Sequence, residues 1–98
     1  MYKHIVCWEF AEKNKGSNLE AMKLLLEALP VHIPEILELE VGLNVKDSPR
    51  AMDMVLSTSF ADEAAYQVYA THPAHGKVVE ALHKVTVEAV IVDYSTME

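Results

Sequence analysis

Twice along this chain the apolar residues recur at every second position, pass into helical spacing, and return to every second position. From Tyr2 to Phe10, one side of an extended chain carries Tyr2, His4, Val6, Trp8 and Phe10, and the other carries Lys3, Ile5, Cys7 and Glu9. After a polar, glycine-ended loop (residues 12–16), Ser17 and Glu20 have the spacing of a capping box. Leu19, Met22, Leu25, Leu26 and Leu29 then follow as a helical stripe, which Pro30 should end. Pro30 to Pro34 reads as a stiff connector. Leu37, Leu39, Val41, Leu43 and Val45 alternate as a second strand, and Asp47-Ser48-Pro49-Arg50 as a turn. A third strand is expected from about Met52 to Phe60, with Met54, Leu56, Thr58 and Phe60 on one side.

The second half repeats the order. Ala61-Asp62-Glu63 opens a helix, its acids suited to the positive end of the helix dipole, with Ala65, Val68 and Tyr69 as the inner stripe. Helical spacing resumes from Ala74 to Lys84 through Val78, Val79 and Leu82. The last strand, Val85 to Tyr94, is nearly continuous in apolar residues, as in a strand covered on both faces. This βαββαβ order predicts an α+β, ferredoxin-like fold: a four-stranded antiparallel sheet with its helices on one face. Ile5, Cys7, Val55 and part of the last strand then lie on the other face. An apolar patch of that size is rarely left to water, so the chain is expected to form a homodimer with sheets face to face.

Charge and length exclude several classes of function. Ninety-eight residues make one small domain, 1–98, with no room for a cofactor domain. The net charge of −7 disfavours nucleic acid and anionic membranes as partners. No run approaches the ~20 apolar residues of a membrane helix, and the N-terminus lacks a signal-peptide pattern. A single cysteine, Cys7, points to a reducing, cytoplasmic setting.

Titratable groups concentrate in one place. Tyr66 and Tyr69 stand three apart and share a helix side, and Pro73 should end that helix near His72, leaving His72 and His75 at a corner. His72 fits a hydrogen bond that fixes the corner. A His72-x-x-His75 metal site lacks a third ligand, since Asp62 lies a helix-length away and Glu80 faces outward, so no metal or other cofactor is expected. His4 and Cys7, three apart on a strand, fall on opposite faces and cannot form a thiolate–imidazole pair.

Several stretches together resemble the stress-responsive A/B barrel (Dabb) family of the dimeric α+β barrel group. They are His4-Ile5-Val6, Leu29-Pro30 through Ile33-Pro34, Val41-Gly42-Leu43-Asn44, Asp53-Met54-Val55-Leu56, Phe60, Tyr69 with His72-Pro73-Ala74-His75, and Val92-Asp93-Tyr94. The resemblance implies the dimeric barrel and a cavity between helices and sheet. It also implies, from polyketide-cyclase-like members, that His75 and Tyr69 move protons there with His4 on the facing strand. Met54 stands where such members can carry a further histidine. The connector carbonyls at Ile33-Pro34 are of the kind that hold a structural cation in some relatives.

Three functions compete. The first is a small-molecule pocket lined by His4, Val6, Trp8, Met54, Leu56, Tyr69 and His75, with His72 at its edge, performing proton transfer on an apolar carbonyl compound. The second is a non-enzymatic stress or assembly protein, with His75 capping a helix above a packed Tyr69. The third, by fold analogy, is a small cofactor-independent monooxygenase. A cavity of ~300 Å³ or more favours the first; an interior filled by Trp8 and Tyr69 favours the second.

Overall fold

The computed structural model describes residues 1–96. Its strands are β1 (Tyr2–Phe10), β2 (Glu38–Leu43), β3 (Met54–Phe60) and β4 (Thr86–Ser95). Its helices are α1 (Lys15–Glu27), α2 (Leu29–His32), α3 (Glu63–Ala70) and α4 (Pro73–His83). The strands form one antiparallel sheet in the order β2-β3-β1-β4, the ferredoxin-like arrangement, with the helices on one face.

Alternation along β1 sets this geometry. His4, Val6, Trp8 and Phe10 are buried against the helices together with Val41, Met54, Leu56, Phe60, Met22, Leu26, Tyr69, Val78 and Leu82. Directly opposed residues share a face, so the register His4↔Thr58 and His4↔Asp93 runs a row from Leu39 through Thr58 and His4 to Asp93 on the helix side. The Thr58 hydroxyl donates to the His4 carbonyl at 2.8 Å, tying β3 to β1 at that row. At the far end of β1 the register shifts between Glu9 and Phe10. There the Phe10 amide donates to Asp53 Oδ2 at 2.7 Å, and Lys15 Nζ lies 3.3 Å from the same carboxylate.

Several local expectations give way. The Ser17/Glu20 capping box does not form. α1 begins three residues earlier, behind Asn14 in the left-handed region (φ 57°), and the Ser17 hydroxyl donates to the Asn14 carbonyl. Pro30 opens the short helix α2 instead of standing in an extended connector, because its fixed φ suits a first helical turn. β2 and β3 are shorter than their alternating patterns, since the chain between Asn44 and Asp53 leaves the sheet after a single pairing, Asn44 N–H to the Asp53 carbonyl at 2.9 Å. Leu25 and Val68 are exposed, and Tyr66 takes the inner position of α3 beside Tyr69.

The largest departure is β4. Its apolar run lies at the sheet edge, and every residue from Val87 to Ser95 is exposed in the single chain. Ile91 and Ala89 share the helix side of the sheet but extend past the helices, while Val90 and Val92 lie on the uncovered face beside Ile5, Cys7 and Val55. Cys7 is therefore half-buried rather than a core residue.

Candidate functional site

The helix face ends, near His4, in a cluster of rings. α3 supplies Tyr66 and Tyr69, three apart on one side; Asp62 sets the start of this helix by accepting the Ala65 amide at 2.9 Å. Phe60 comes from β3, Tyr2 and His4 from β1, and His75 from the first turn of α4. Ring centroids lie 4.4 Å apart for Tyr69 and His75, 5.1 Å for Tyr69 and Phe60, and 6.0 Å for Tyr69 and His4. Tyr66 lies over His4 at 5.0 Å and stacks on Tyr2 at 4.8 Å. Tyr69 is 1% exposed and His4 6%, whereas Tyr2, Tyr66 and His75 are half-buried.

The hydrogen-bond partners fix which ring nitrogens carry protons. His4 Nδ1 donates to Asp93 Oδ1, because an ionised carboxylate only accepts, and its Nε2 is left as a lone pair when the ring is neutral. His75 Nδ1 donates to the Ala70 carbonyl at 3.2 Å, which leaves Nε2 of that ring as the acceptor too. His72 is the reverse case. As N-cap of α4 its Nδ1 accepts the Ala74 amide at 3.0 Å, so its proton sits on Nε2. Pro73 at the first helical position makes this corner sharp, and His72 closes it.

Burial shapes the acid–base character of the cluster. It lowers the pKa of His75 below the ordinary imidazole value, with the neighbouring His4 and His72 adding to the effect against the Ala70 carbonyl. It pushes the Tyr69 phenol well above its usual range, so that hydroxyl stays protonated. The Tyr69 hydroxyl makes no hydrogen bond among the described residues, yet it is not sealed from solvent. The phenols of Tyr2 and Tyr66 are raised as well, first by burial and then by the Asp93 carboxylate nearby.

The structure thus brings His4, Tyr69 and His75 together, and adds Tyr66 and Asp93. His72 stands at the corner with its Nδ1 committed to the cap. Val6 and Leu56 form the next row of the sheet, and Trp8 and Met54 the row beyond, all four inside the packed core. At ~3.3 Å per residue, Trp8 is about 13 Å along β1 from His4. Trp8 and Tyr69 fill the interior, and the rings at the cluster touch one another. Hollows of about 280 Å³ (beside Cys7, Asn44 and Val55) and about 540 Å³ (beside Lys3, Glu40 and Ser57) lie elsewhere. Among the described residues no three His, Cys, Asp or Glu side chains are grouped to hold a metal ion.

Local sequence does not mark Asp93 as a site residue, because its role depends on pairing with His4, 89 residues away on the neighbouring strand. The signal the sequence offers is one of two carboxylates, with Glu88, in a largely apolar strand.

The fold and this histidine–tyrosine corner define a ferredoxin-like α+β protein of the barrel-forming type. A family model described as the stress responsive A/B barrel domain matches residues 2–96, and the chain belongs to that family. Among solved structures, it is similar to a dimeric protein of unknown function with a ferredoxin-like fold from Bacteroides fragilis NCTC 9343. The two are 29% identical over 97% of this chain and 95% of that one, with a TM-score of 0.87. A hydroxynitrile lyase from Passiflora edulis has the same fold at 15% identity (99% and 94% covered, TM-score 0.87). So has a putative antibiotic biosynthesis monooxygenase from Nitrosomonas europaea, at 16% identity (100% of both chains, TM-score 0.77). No curated protein sequence matches the chain. No helix among the described residues is long and apolar enough to cross a membrane.

Proposed function

We propose that this protein is a cytoplasmic homodimer that binds a small carbonyl compound at the His4–Tyr69–His75 cluster and moves a proton on it. One observation carries the reading: two imidazoles, each with Nδ1 tied down, flank a protonated phenol that has no hydrogen-bond partner among the described residues. A carbon acid needs a base for its proton and a donor for the oxygen on which charge develops. An imidazole Nε2 serves as the base, and the Tyr69 hydroxyl steadies the oxygen. Asp93 holds the His4 ring in the tautomer that leaves Nε2 open, so it acts as a positioning residue. The exposed apolar β4 and the apolar half of the uncovered face support the dimer, as does the dimeric state of the Bacteroides fragilis protein.

The test is solvent exchange. A panel of enolisable aldehydes and ketones is incubated with the protein in D2O, and loss of the α-proton is followed by NMR. The base removes that proton, the enolate oxygen rests on Tyr69, and a deuteron returns to the same carbon. Exchange faster than buffer, lost in Tyr69→Phe and His75→Ala, supports the reading; exchange that is absent, or unchanged in both variants, contradicts it.

A second reading keeps one specific observation in its favour. Trp8 and Tyr69 fill the interior, the packing expected if the barrel serves as a non-enzymatic stress or assembly protein. The monooxygenase reading rests on fold likeness alone.

A further inference from the structure

Resting on the homodimer reading, we propose that each histidine–tyrosine site is closed by the other copy of the chain: Leu24 and Leu43 of one copy seat on Ala89 and Ile91 of the other, so that the Asp93 side of the site is shut only in the dimer.

The two outer strands, β2 and β4, each have one edge that no strand of the same chain pairs with. The Thr96 amide donates to the Met1 carbonyl at 2.8 Å, and along that register the backbones of Tyr94, Val92 and Val90 turn toward β1. Those of Asp93, Ile91 and Ala89 therefore turn outward, and their side chains lie on the helix side. On β2 the bond from Asn44 to Asp53 sets the same alternation, so Leu39, Val41 and Leu43 turn outward with helix-side side chains. α1 stands over this second edge. Its Lys23 Nζ donates to the outward Val41 carbonyl at 3.2 Å, and its Leu24, 69% exposed, borders a hollow of about 220 Å³ together with Leu43. One edge thus carries leucines overhanging the sheet. The other carries Ala89 and Ile91, the latter 59% exposed, beyond the reach of the helices.

Register and charge say how two copies bring these edges together. Rows across the sheet run Leu43–Met54–Trp8–Ala89, Val41–Leu56–Val6–Ile91 and Leu39–Thr58–His4–Asp93. A two-fold axis along the strands keeps these levels. It brings Leu43 to the height of the partner's Ala89, and Leu39 to that of the partner's Asp93. An axis across the strands would instead lay β2 on its own copy, gathering Glu38 and Glu40 of both chains, and like charges so placed repel. The axis along the strands separates those acids. It also sets Val90 at the height of the partner's Gly42, where the uncovered face has its hollow of about 280 Å³ beside Cys7 and Val55. That hollow is built around a missing side chain, since a Cβ on Gly42 would stand 3.1 Å from Val55 Cγ1. Closure matters to the site because the Asp93 side chain, which holds His4 Nδ1, is 33% exposed in the single chain. Excluding water there strengthens the bond that fixes the His4 ring.

The test uses Leu24→Lys, Ile91→Asp and the double variant, whose opposite charges meet across the contact; Leu24→Gln repeats it without a new charge. Both positions are exposed in the single chain, so each chain should fold. Sedimentation reads the dimer dissociation constant, and 15N–1H NMR reads solvent exchange of the His4 Nδ1 proton. Each single variant should weaken the dimer tenfold or more and speed that exchange tenfold or more, and the double variant should recover most of both. The proposal is overturned if the single variants keep the wild-type dissociation constant, if the dimer weakens with His4 exchange unchanged, or if the double variant is as weak as the singles. A wild-type protein that sediments as a single chain at micromolar concentration overturns the homodimer reading with it. A firm wild-type dimer indifferent to Leu24 and Ile91 overturns this proposal alone.

Discussion

Tyr69 offers a clean separation between a side chain that fills the core and one that handles a ligand. Its ring is almost wholly buried against Phe60, His75 and His4, while its hydroxyl lacks a hydrogen-bond partner among the described residues. Tyr69→Ala removes the ring and leaves a void among stiff neighbours, at a cost of ~3–5 kcal/mol. For a domain of this length that lowers the Tm by ~12 °C or more. Tyr69→Phe keeps every ring contact and deletes an unpartnered hydroxyl, so its stability should stay within ~0.5 kcal/mol of wild type, a Tm change of less than ~4 °C. A stability-neutral change should nonetheless reduce α-proton exchange by ~10²–10³-fold, the usual worth of one donor to a developing oxyanion. The assays are urea denaturation, thermal unfolding and exchange in D2O on the same preparations. A Tyr69→Phe variant that loses more than ~2 kcal/mol would mean that the hydroxyl is hydrogen-bonded in the folded protein, contrary to the geometry described. A variant as active as wild type would make Tyr69 a packing residue.

Other outcomes follow from the same cluster. Burial lowers the His75 pKa, so the unfolded chain binds the proton more readily: the contribution of His75 to stability is complete above the ordinary imidazole value of ~6.5 and is lost as pH falls below it. Urea unfolding between pH 8 and 5 should therefore decline less steeply for His75→Gln than for wild type, and equal slopes would refute a buried neutral His75. Asp93→Asn should cost little stability, under ~1 kcal/mol, because the Asp93 side chain is 33% exposed, but it should slow exchange by ~10²–10⁴-fold through the loss of a fixed His4 tautomer. On the uncovered sheet face, Val55→Asp should put a carboxylate between the two sheets; sedimentation should show twice the chain mass for wild type and a single chain, or aggregation, for the variant. An unchanged dimer would place that face in solvent.

The alternation of Tyr2 to Phe10 and of Met54 to Phe60 carried the sheet, because a half-buried strand writes its two faces into the sequence. The ends of elements were less legible. Ser17 and Glu20 have the capping spacing, but Asn14 takes the left-handed turn that starts α1, and Lys15 just after it reaches the Asp53 carboxylate at 3.3 Å. In α3, hydrophobicity alone favoured Val68 for the inner side. The aromatic neighbours Tyr2, Phe60 and His4, distant in sequence, turn the helix so that Tyr66 packs inward. The apolar run of β4 does form a strand, but it lies exposed at the sheet edge rather than covered on both faces, because its place depends on strand order. For the candidate site, the histidine–proline corner and Tyr69 stood out locally. Asp93 did not, since its meaning comes from the register with His4.

The central claim is that His4 and His75 each present an open Nε2 beside a protonated phenol, and tautomer assignment by 15N–1H correlation of the imidazole rings measures it most directly. At pH ~8.5, above the ordinary imidazole range, His4 and His75 should both appear as Nδ1–H tautomers and His72 as Nε2–H. An Nε2–H proton on both His4 and His75 would leave the cluster without a base and would contradict the proposed chemistry.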